Sequence, residues 1–203
     1  MDFINQNLLF YILAYIISGI PFGYILAKQF AGVDIKKAGS GNIGATNVLR
    51  VVKDTNPSLA KKLGAATLAL DALKGAIILL IAMLSGASEE VLWTIALLSV
   101  IGHCFSPFLG FEGGKGVATA LGVLVILLPI PTLIAFVIWF ISAKLLKISS
   151  LSSLIALVAL IIASYIITPQ IPHAPLWIIA WIIFYKHIPN IMRIIKKEES
   201  KVI

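Results

Sequence analysis

Charged side chains are scarce in this sequence. Only 12% of the 203 residues are Asp, Glu, Lys or Arg, whereas 60% are hydrophobic and the mean hydropathy is +1.03. A soluble globular domain has about twice that charged fraction, so the composition excludes that class. Apolar runs of about 20 residues can cross a bilayer as helices, and only helices or closed barrels satisfy their backbone in hydrocarbon. The alternating pattern of strands is absent, so we predict an all-α, polytopic integral membrane protein.

Cysteine is nearly absent as well. The single residue, Cys104, excludes an intramolecular disulfide and any site built from several thiolates. No set of histidines and carboxylates has metal-site spacing, so we predict no metal and no cofactor. The first apolar run, Leu8 to Ala27, lacks the basic flank and the A-x-A motif of a cleaved signal peptide. We therefore expect this run to be a retained first span.

Several common enzyme motifs are missing or incomplete. Residues 39–44 (GSGNIG) match G-x-G-x-x-G, but a membrane helix and a charged loop precede them instead of a strand, which excludes a Rossmann site. Residues 113–116 (GGKG) lack the spacing and the hydroxyl residue of a Walker A loop. A G-x-S-x-G elbow and a glycosidase pair of carboxylates are also missing. Both Gly-rich segments therefore need another explanation.

Seven apolar segments are candidates for membrane spans. We predict them at residues 7–28, 63–84, 90–109, 116–129, 131–146, 151–168 and 174–190. The fourth is short for a hydrocarbon core of about 30 Å. It would have to cross without tilt, thin the bilayer, or extend through the Gly-rich loop before it.

The basic residues divide the connecting segments into two kinds. All of the 16 lysines and arginines except Lys74 fall on one side of the predicted spans, whereas residues 85–90, 129–131 and 168–175 carry none. Because basic loops stay in the cytoplasm, we predict the N-terminus outside and the C-terminus inside, and an odd number of spans. The net charge of +7 is spread over short loops, which favours a membrane face and not nucleic acid as its partner. We expect one membrane domain over residues 1–203, with cytoplasmic segments at about 34–62, 103–116, 147–153 and 186–203.

Lys74 lies inside the second predicted span, three residues after Asp71 and on the same helix face. Such a pair is costly in a membrane unless it is partnered and faces protein or water. Two interpretations stay open, because the pair could pin two helices together or could shape a functional site. His103, at a helix end, is equally open between packing and function.

Two polar clusters on the predicted cytoplasmic side contain glycine-rich loops. Residues 39–50 (GSGNIGATNVLR) combine glycines, hydroxyls and amides with Arg50, which can hold a phosphate through two N–H groups. Residues 103–119 (HCFSPFLGFEGGKGVAT) place Lys115 just before an apolar helix, whose N-terminus favours anions. The alternatives are a helix-capping turn for the first cluster and a flexible loop with a snorkelling lysine for the second.

Two further clusters lie on the same side. Residues 149–153 (SSLSS) begin a helix, where the hydroxyls could instead be caps. Near the C-terminus, His187, Asn190 and Arg193 recur every three residues and so share a helix face. A basic tail that binds lipid headgroups is the alternative, but it does not account for His or Asn. Together the clusters favour a phosphate-bearing ligand approached from the cytoplasm, and they leave open whether that ligand reacts or is transported.

At these clusters the chain resembles the bacterial acyl-phosphate:glycerol-3-phosphate acyltransferases. Residues 39–50 are similar to the first motif of that family, residues 102–119 to the second and residues 187–201 (HIPNIMRIIKKEESK) to the third. The resemblance also includes DALKG at 71–75 and SLSS at 150–153, and it covers essentially the whole chain.

The resemblance implies a seven-helix enzyme of the bacterial inner membrane, with its active site on the cytoplasmic side. This enzyme would transfer an acyl group from acyl phosphate to the 1-position of glycerol 3-phosphate, and it would release lysophosphatidic acid and inorganic phosphate in phospholipid biosynthesis. The implied partners are these two substrates and membrane lipids, without a cofactor, and we expect a monomer. The H-x-x-x-x-D motif of soluble-type acyltransferases is missing here.

Carried over position by position, the resemblance implies which residues act on glycerol 3-phosphate. The predicted catalytic residues are Arg50, Lys115, His187 and Asn190. The predicted substrate-binding residues are Ser40, Gly41, Asn42, Thr46, Asn47, Gly113, Gly114, Gly116, Ser150, Ser153 and Glu199. His187 is expected near the acceptor hydroxyl, and Glu199 is expected to support the tail. The sequence departs from the family at Lys197, where glycine is usual, and in a polar insert over residues 54–62.

Two other functions compete with an acyltransferase. A transporter of a phosphorylated solute is the first alternative, but the sequence lacks the broken helices in repeated halves that mark a midplane site. A structural membrane subunit, whose loops bind a partner or lipid headgroups, is the second.

Overall fold

The computed structural model describes residues 3–201, and these residues form helices joined by short loops. They contain nine α-helices, one 3-10 helix at Pro107–Leu109 and no strand. The α-helices are α1 (Phe3–Gly19), α2 (Phe22–Ala31), α3 (Ala45–Lys53), α4 (Pro57–Leu84), α5 (Glu89–Cys104), α6 (Val117–Leu127), α7 (Pro129–Leu146), α8 (Ser149–Ile167) and α9 (His173–Ile195). The predicted all-α fold class is confirmed.

The chain divides into two compact units, Met1–Val123 and Leu124–Ile203. In the first unit, α4 packs against α1, α2, α3 and α5, and α1 also packs along α5. In the second unit, α8 packs against both α7 and α9. The single membrane domain stays a prediction, and residues 1–2 and 202–203 at its ends lie outside the described residues.

Six segments of the described residues are long and apolar enough to cross a membrane. They are Gln6–Ala31, Pro57–Leu84, Glu89–Leu109, Pro129–Leu146, Ser149–Ile167 and His173–Ile195, and each coincides with a predicted span. The fourth predicted span, residues 116–129, contains only the 11-residue helix Val117–Leu127. That helix is ~16 Å long, about half the thickness of the hydrocarbon core. The seventh span therefore stays a prediction.

A small residue lets α1 and α5 approach closely. A Cβ added to Gly102 would lie 3.0 Å from the carbonyl carbon of Tyr15, so only glycine fits at this crossing. Two side chains then satisfy carbonyl groups at the helix ends. The Tyr15 hydroxyl donates to the carbonyl of Phe105 at 2.9 Å, and the Ser106 hydroxyl donates to the carbonyl of Gly19 at 2.6 Å. These contacts fix the point where α5 turns into the second motif.

The polar insert over residues 54–62 begins α4. The side chain of Asn56 accepts a hydrogen bond from the backbone N–H of Leu59 at 3.0 Å, and Pro57 occupies the first turn, where a missing N–H costs nothing. The amphipathic helix α3 packs Val48 and Val52 against this end of α4. The insert thus lengthens and caps a helix, and its lysines are exposed.

Candidate active site

Asn47 organises the first-motif loop, which we define as residues 35–44. Its side-chain oxygen accepts from the backbone N–H of Ser40 at 2.9 Å. Its amide nitrogen donates to the carbonyls of Ile35, Ala38 and Asn42 at 3.0, 3.1 and 2.8 Å. The side chain is almost fully buried, so α3 holds the loop through this one amide.

The loop exposes Ser40 between two glycines in left-handed conformation. Gly39 has φ of +61° and Gly41 has φ of +70°, values that favour glycine. Ser40 and both glycines are exposed. Arg50 lies one turn after Asn47 on α3 and is half-buried. The first motif therefore presents a hydroxyl from a loop of fixed shape and a guanidinium from the helix that follows it.

The remaining first-motif residues lie where the loop enters α3. The side-chain oxygen of Asn42 accepts from the backbone N–H of Gly44 at 2.8 Å, which closes the turn before the helix. Thr46 is half-buried in the first turn of α3. These residues shape the approach to Ser40 and Arg50.

The second-motif loop, residues 110–116, rests on the end of α5. The backbone N–H of Gly114 donates to the carbonyl of His103 at 3.0 Å. A Cβ on Gly113 would lie 2.9 Å from the carbonyl carbon of Cys104, so glycine is needed for this close approach. Gly116, with φ of +84°, leads into α6, and its carbonyl accepts from Ala120 at 2.8 Å. Half-buried Lys115 is thus placed immediately before a helix N-terminus.

An ion pair joins the two motif loops within the first unit. The Lys36 Nζ lies 3.2 Å from Glu112 Oε2, and the side chain of Glu112 is 75% exposed. The contact is too exposed to contribute much stability. It does place residues of the first-motif and second-motif loops side by side within this unit.

A buried group of charged and polar side chains lies beneath the second-motif loop. Lys74 donates to Asp71 Oδ1 at 2.8 Å and to the carbonyl of Ile20 at 3.0 Å, and its third neighbour is His103 Nδ1 at 2.9 Å. Asp71, Lys74 and His103 are each less than 5% exposed. We call these three residues the Asp71 cluster. The hydroxyl of Thr119, at the start of α6, donates to the backbone carbonyl of Asp71 at 2.9 Å.

In the second unit, Glu199 collects donors from two helices. Its Oε1 accepts from the Ser150 hydroxyl at 2.7 Å and from the Asn190 amide at 2.6 Å, and its Oε2 accepts from Arg193 Nε at 2.6 Å. We call these four residues the Glu199 cluster. Burial raises the pKa of the Glu199 carboxyl, but the hydrogen bonds from Ser150, Arg193 and Asn190 outweigh burial and lower it below its usual value.

The turn that returns Glu199 to α9 occurs at the position where the sequence departs from the motif that it resembles. Lys197 has φ of +60°, the left-handed conformation in which glycine is favoured. The N–H of Lys197 donates to the carbonyl of Ile194 at 3.0 Å, and the N–H of Glu198 donates to that of Arg193 at 2.8 Å. This pair of bonds is a Schellman motif. Glycine would be favoured at this position, and lysine adopts the turn at a conformational cost.

His187 and Ser153 are the remaining predicted site residues of the second unit. His187 is 1% exposed, and its Nδ1 lies 2.7 Å from the carbonyl of Ile183. Because a carbonyl can only accept, Nδ1 carries the proton, and Nε2 is the acceptor nitrogen of the neutral ring. The Ser153 hydroxyl donates to the carbonyl of Ser149 at 2.9 Å and accepts from Trp139 Nε1 at 3.2 Å. The hydroxyl proton of Ser153 therefore points to a carbonyl of its own helix in this conformation.

The structure groups the predicted site residues by unit. The first and second motifs adjoin in one unit, and Ser150, Asn190 and Glu199 meet in the other. The substrate-binding role that the resemblance implies for Asn47 stays a prediction, and its side chain hydrogen-bonds to four backbone groups of the first-motif loop. The sequence did not indicate these bonds. It did not anticipate the link between Lys36 and Glu112 or the contact between Lys74 and His103. The spacing of Asp71 and Lys74 indicated only their own ion pair.

Comparison with known proteins agrees with these motifs. The model of the glycerol-3-phosphate acyltransferase family matches residues 8–197. The chain is 61% identical to the glycerol-3-phosphate acyltransferases of Sulfurimonas denitrificans and Aliarcobacter butzleri, with full coverage of each chain. Among solved structures, it is similar to crystal structures of PlsY, an integral membrane glycerol 3-phosphate acyltransferase. The glycerol 3-phosphate form has a TM-score of 0.85 and 37% identity, and the lysophosphatidic acid form has 0.83 and 36%. Both alignments cover 97% of this chain and 95% of PlsY.

These similarities confirm the resemblance read from the motifs, and they support an enzyme and not a transporter. The chain is an integral membrane protein that belongs to the glycerol-3-phosphate acyltransferase family.

Proposed function

We propose that the protein transfers the acyl group of acyl phosphate to the 1-hydroxyl of glycerol 3-phosphate and releases lysophosphatidic acid and inorganic phosphate. The observation that carries this proposal is the pair of adjoining motif loops. They present the exposed Ser40, the half-buried Arg50 and Lys115, and a glycine-rich approach to the N-terminus of α6. Such an arrangement of cations and backbone N–H groups suits phosphate oxygens.

The roles of individual residues follow from these contacts. Arg50 and Lys115 neutralise phosphate charge, the Ser40 hydroxyl donates to phosphate oxygens, and the glycines of both loops leave room for phosphate to approach the backbone closely. Asn47 and Asn42 shape the first-motif loop through their backbone contacts. Glu199 holds Asn190 and Ser150 in place for glycerol 3-phosphate. Thr46 and Ser153 stay proposed substrate-binding residues.

The reaction needs little covalent help because acyl phosphate is already activated. The 1-hydroxyl oxygen attacks the acyl carbonyl carbon, the bond from that carbon to the phosphate oxygen breaks, and phosphate leaves with the electron pair. Placing the hydroxyl against the carbonyl supplies proximity, and the cations supply electrostatic stabilisation. The hydroxyl proton passes either to His187 Nε2, which the contact of Nδ1 with Ile183 sets up as an acceptor, or to a phosphate oxygen of a bound substrate.

We also propose that the protein crosses the bacterial inner membrane seven times as a monomer in a single membrane domain. The short helix α6 would cross, with the N-terminus outside and the active site in the cytoplasm. The basic residues support this arrangement, because without a crossing at α6 the lysines at 144 and 147 would face outward. The acyl chain of the donor would lie among the apolar helices and bilayer lipids.

The topology can be tested with single cysteines placed at positions 88 and 170 in a Cys104→Ser background. Both should react with a membrane-impermeant reagent added outside intact cells, and protection of either would contradict the topology.

The activity can be tested with purified protein in detergent. Lysophosphatidic acid and inorganic phosphate should appear in equal amounts, and only when both acyl phosphate and glycerol 3-phosphate are present. We expect Lys115→Ala and Arg50→Ala each to lower kcat/KM by about 10- to 100-fold, the scale of one lost charge-assisted hydrogen bond.

The matched control is Lys37→Ala, which removes an exposed charge from the first-motif loop. Its kcat/KM should equal that of the wild type. If both site variants keep the activity of this control, the motif loops do not form the site. If the wild type makes no product with any acyl chain length but vesicles containing it take up labelled glycerol 3-phosphate, the transporter alternative is correct.

A further inference from the structure

The Asp71 cluster fixes the chemical state of His103. An ammonium group has three protons and no acceptor site, and the three neighbours of Lys74 Nζ are Asp71, Ile20 and His103 Nδ1, all within 3.0 Å. If Lys74 is charged, it donates to Nδ1, and the histidine proton must reside on Nε2. A neutral Lys74 would instead leave the Asp71 carboxylate buried without a counter-charge, which is the more costly arrangement. The cluster therefore favours the neutral Nε2–H tautomer of His103.

The other side of the same ring faces the second-motif loop. A Cβ added to Gly114 would clash with the edge of the His103 ring, 2.7 Å from Cε1 and 2.9 Å from Cδ2, with Nε2 as the nearest atom. The carbonyl of His103 also accepts the Gly114 N–H. His103 thus contacts the loop through both its backbone and its ring, and Lys74 contacts the ring from beneath.

The start of α6 is attached to the same place. Thr119 donates to the carbonyl of Asp71, and a Cβ on Gly122 would lie 2.9 Å from the Cα of Ala72, so α6 meets the backbone of α4 directly. The loop that carries Lys115 is consequently held at both ends, by His103 before it and by α4 after it.

We propose that His103 is a positioning residue for the second-motif loop. Lys74, held by Asp71, sets the ring in its Nε2–H tautomer, and the ring and carbonyl of His103 then keep Gly113 and Gly114 in the shape that receives phosphate. The phosphate-binding part of this inference rests on the proposed function of the loop, whereas the tautomer does not. A pair that merely pinned two helices would not need to control a ring beneath the loop.

The tautomer can be measured directly on the wild-type protein. The chain has three histidines, so ring-¹⁵N labelling gives three sets of signals, which single substitutions assign. Long-range ¹H–¹⁵N correlation spectra in detergent should show His103 neutral and protonated at Nε2. A ring protonated at Nδ1, or an imidazolium at neutral pH, would overturn the proposal.

A charge-free double variant separates positioning from helix packing. Asp71→Asn with Lys74→Met removes both charges, so it avoids leaving one of them buried alone. We expect its Tm to stay near that of the wild type, the His103 tautomer to shift, and the KM for glycerol 3-phosphate to rise about tenfold with kcat little changed. A tenfold change corresponds to about 1.4 kcal/mol, which is the scale of one hydrogen bond. A KM equal to that of the wild type in the double variant would show that Asp71 and Lys74 only pack helices together.

The control is Ser99→Ala, one helical turn before His103 on α5. Its hydroxyl is buried against Gly75 of α4 and makes no hydrogen bond among the described residues. This variant alters the same contact between helices without touching the ring, and it should keep the wild-type KM. A rise in KM equal to that of the double variant would overturn the proposal. Retained activity in Lys115→Ala would instead refute the proposed function, with the tautomer result unaffected.

Discussion

The Asp71 cluster and the Glu199 cluster each gather polar groups around one carboxylate, but in different surroundings. Asp71 and Lys74 lie in the middle of α4, with side chains no more than 4% exposed. Glu199 lies beyond the end of α9, and although its own side chain is only 7% exposed, that of its partner Arg193 is 34% exposed. Inside apolar helices each charge depends on its neighbour, whereas near water a lost partner can be replaced by solvent. Removing one member of the Asp71 cluster should therefore lower the free energy of unfolding strongly, whereas removing one member of the Glu199 cluster should lower it only slightly.

The largest effect that this comparison predicts follows from Lys74→Met. The substitution leaves Asp71 buried beside an apolar side chain, and we expect the free energy of unfolding to fall by about 3–5 kcal/mol. Thermal unfolding in detergent would measure this as a large drop in Tm. Adding Asp71→Asn to the same protein should restore most of the loss, because no charge then remains unpaired.

Lys61→Met is the matched control for this prediction. Lys61 lies on the same helix but is exposed, so its loss should change stability by no more than about 0.5 kcal/mol. Equal shifts in Tm for the two methionine variants would contradict the contrast drawn between buried and exposed charges.

Glu199→Gln should have a smaller effect, on the order of 1 kcal/mol. Glutamine keeps the length of the side chain, but it cannot offer Arg193 a charged acceptor. We expect the backbone amides of residues 197–199 to exchange with solvent faster, as hydrogen-exchange mass spectrometry can measure. The neighbouring exposed Glu198→Gln, which changes the same charge, should leave exchange unchanged.

The same variant gives a pH dependence with a defined sign. The pKa of Glu199 is lowered in the folded state, so its ionised form stabilises the fold above the ordinary carboxyl value near 4.5. That contribution disappears as the pH falls from about 4.5 through the lower folded pKa. The difference in exchange between wild type and Glu199→Gln should therefore shrink over this range. A difference that grows on acidification would show that the carboxylate is not the stabilising form.

The sequence predicted the features that depend on neighbouring residues. Composition and the length of apolar runs give the long helices, and the spacing of His187, Asn190 and Arg193 gives one face of α9. The motifs identified the family because they are long and ordered. The length of α6 could not be predicted, because an apolar run interrupted by prolines does not show how many of its residues form one helix.

The contacts that shape the site depend on packing and could not be predicted. Lys74 and His103 are 29 residues apart and meet only because α4 and α5 cross there. The resemblance implied that Asn47 binds substrate, and the sequence did not show that its side chain hydrogen-bonds to four backbone groups of the first-motif loop. The turn that carries Glu199 lacked its usual signal, because Lys197 occupies the position where glycine would have indicated a Schellman motif.

That position gives the smallest predicted effect, a gain in stability from Lys197→Gly. The left-handed conformation costs about 1–2 kcal/mol for a residue with a Cβ, and the greater freedom of glycine in the unfolded chain cancels part of the gain. Because the lysine side chain is exposed, we expect a net stabilisation of about 0.5 kcal/mol, seen as slower amide exchange at Glu198. Lys196→Gly is the control, since Lys196 has φ of −78° and should lose stability on substitution. Equal losses of stability in the two variants would mean that the left-handed conformation of Lys197 does not determine the stability of the turn that carries Glu199.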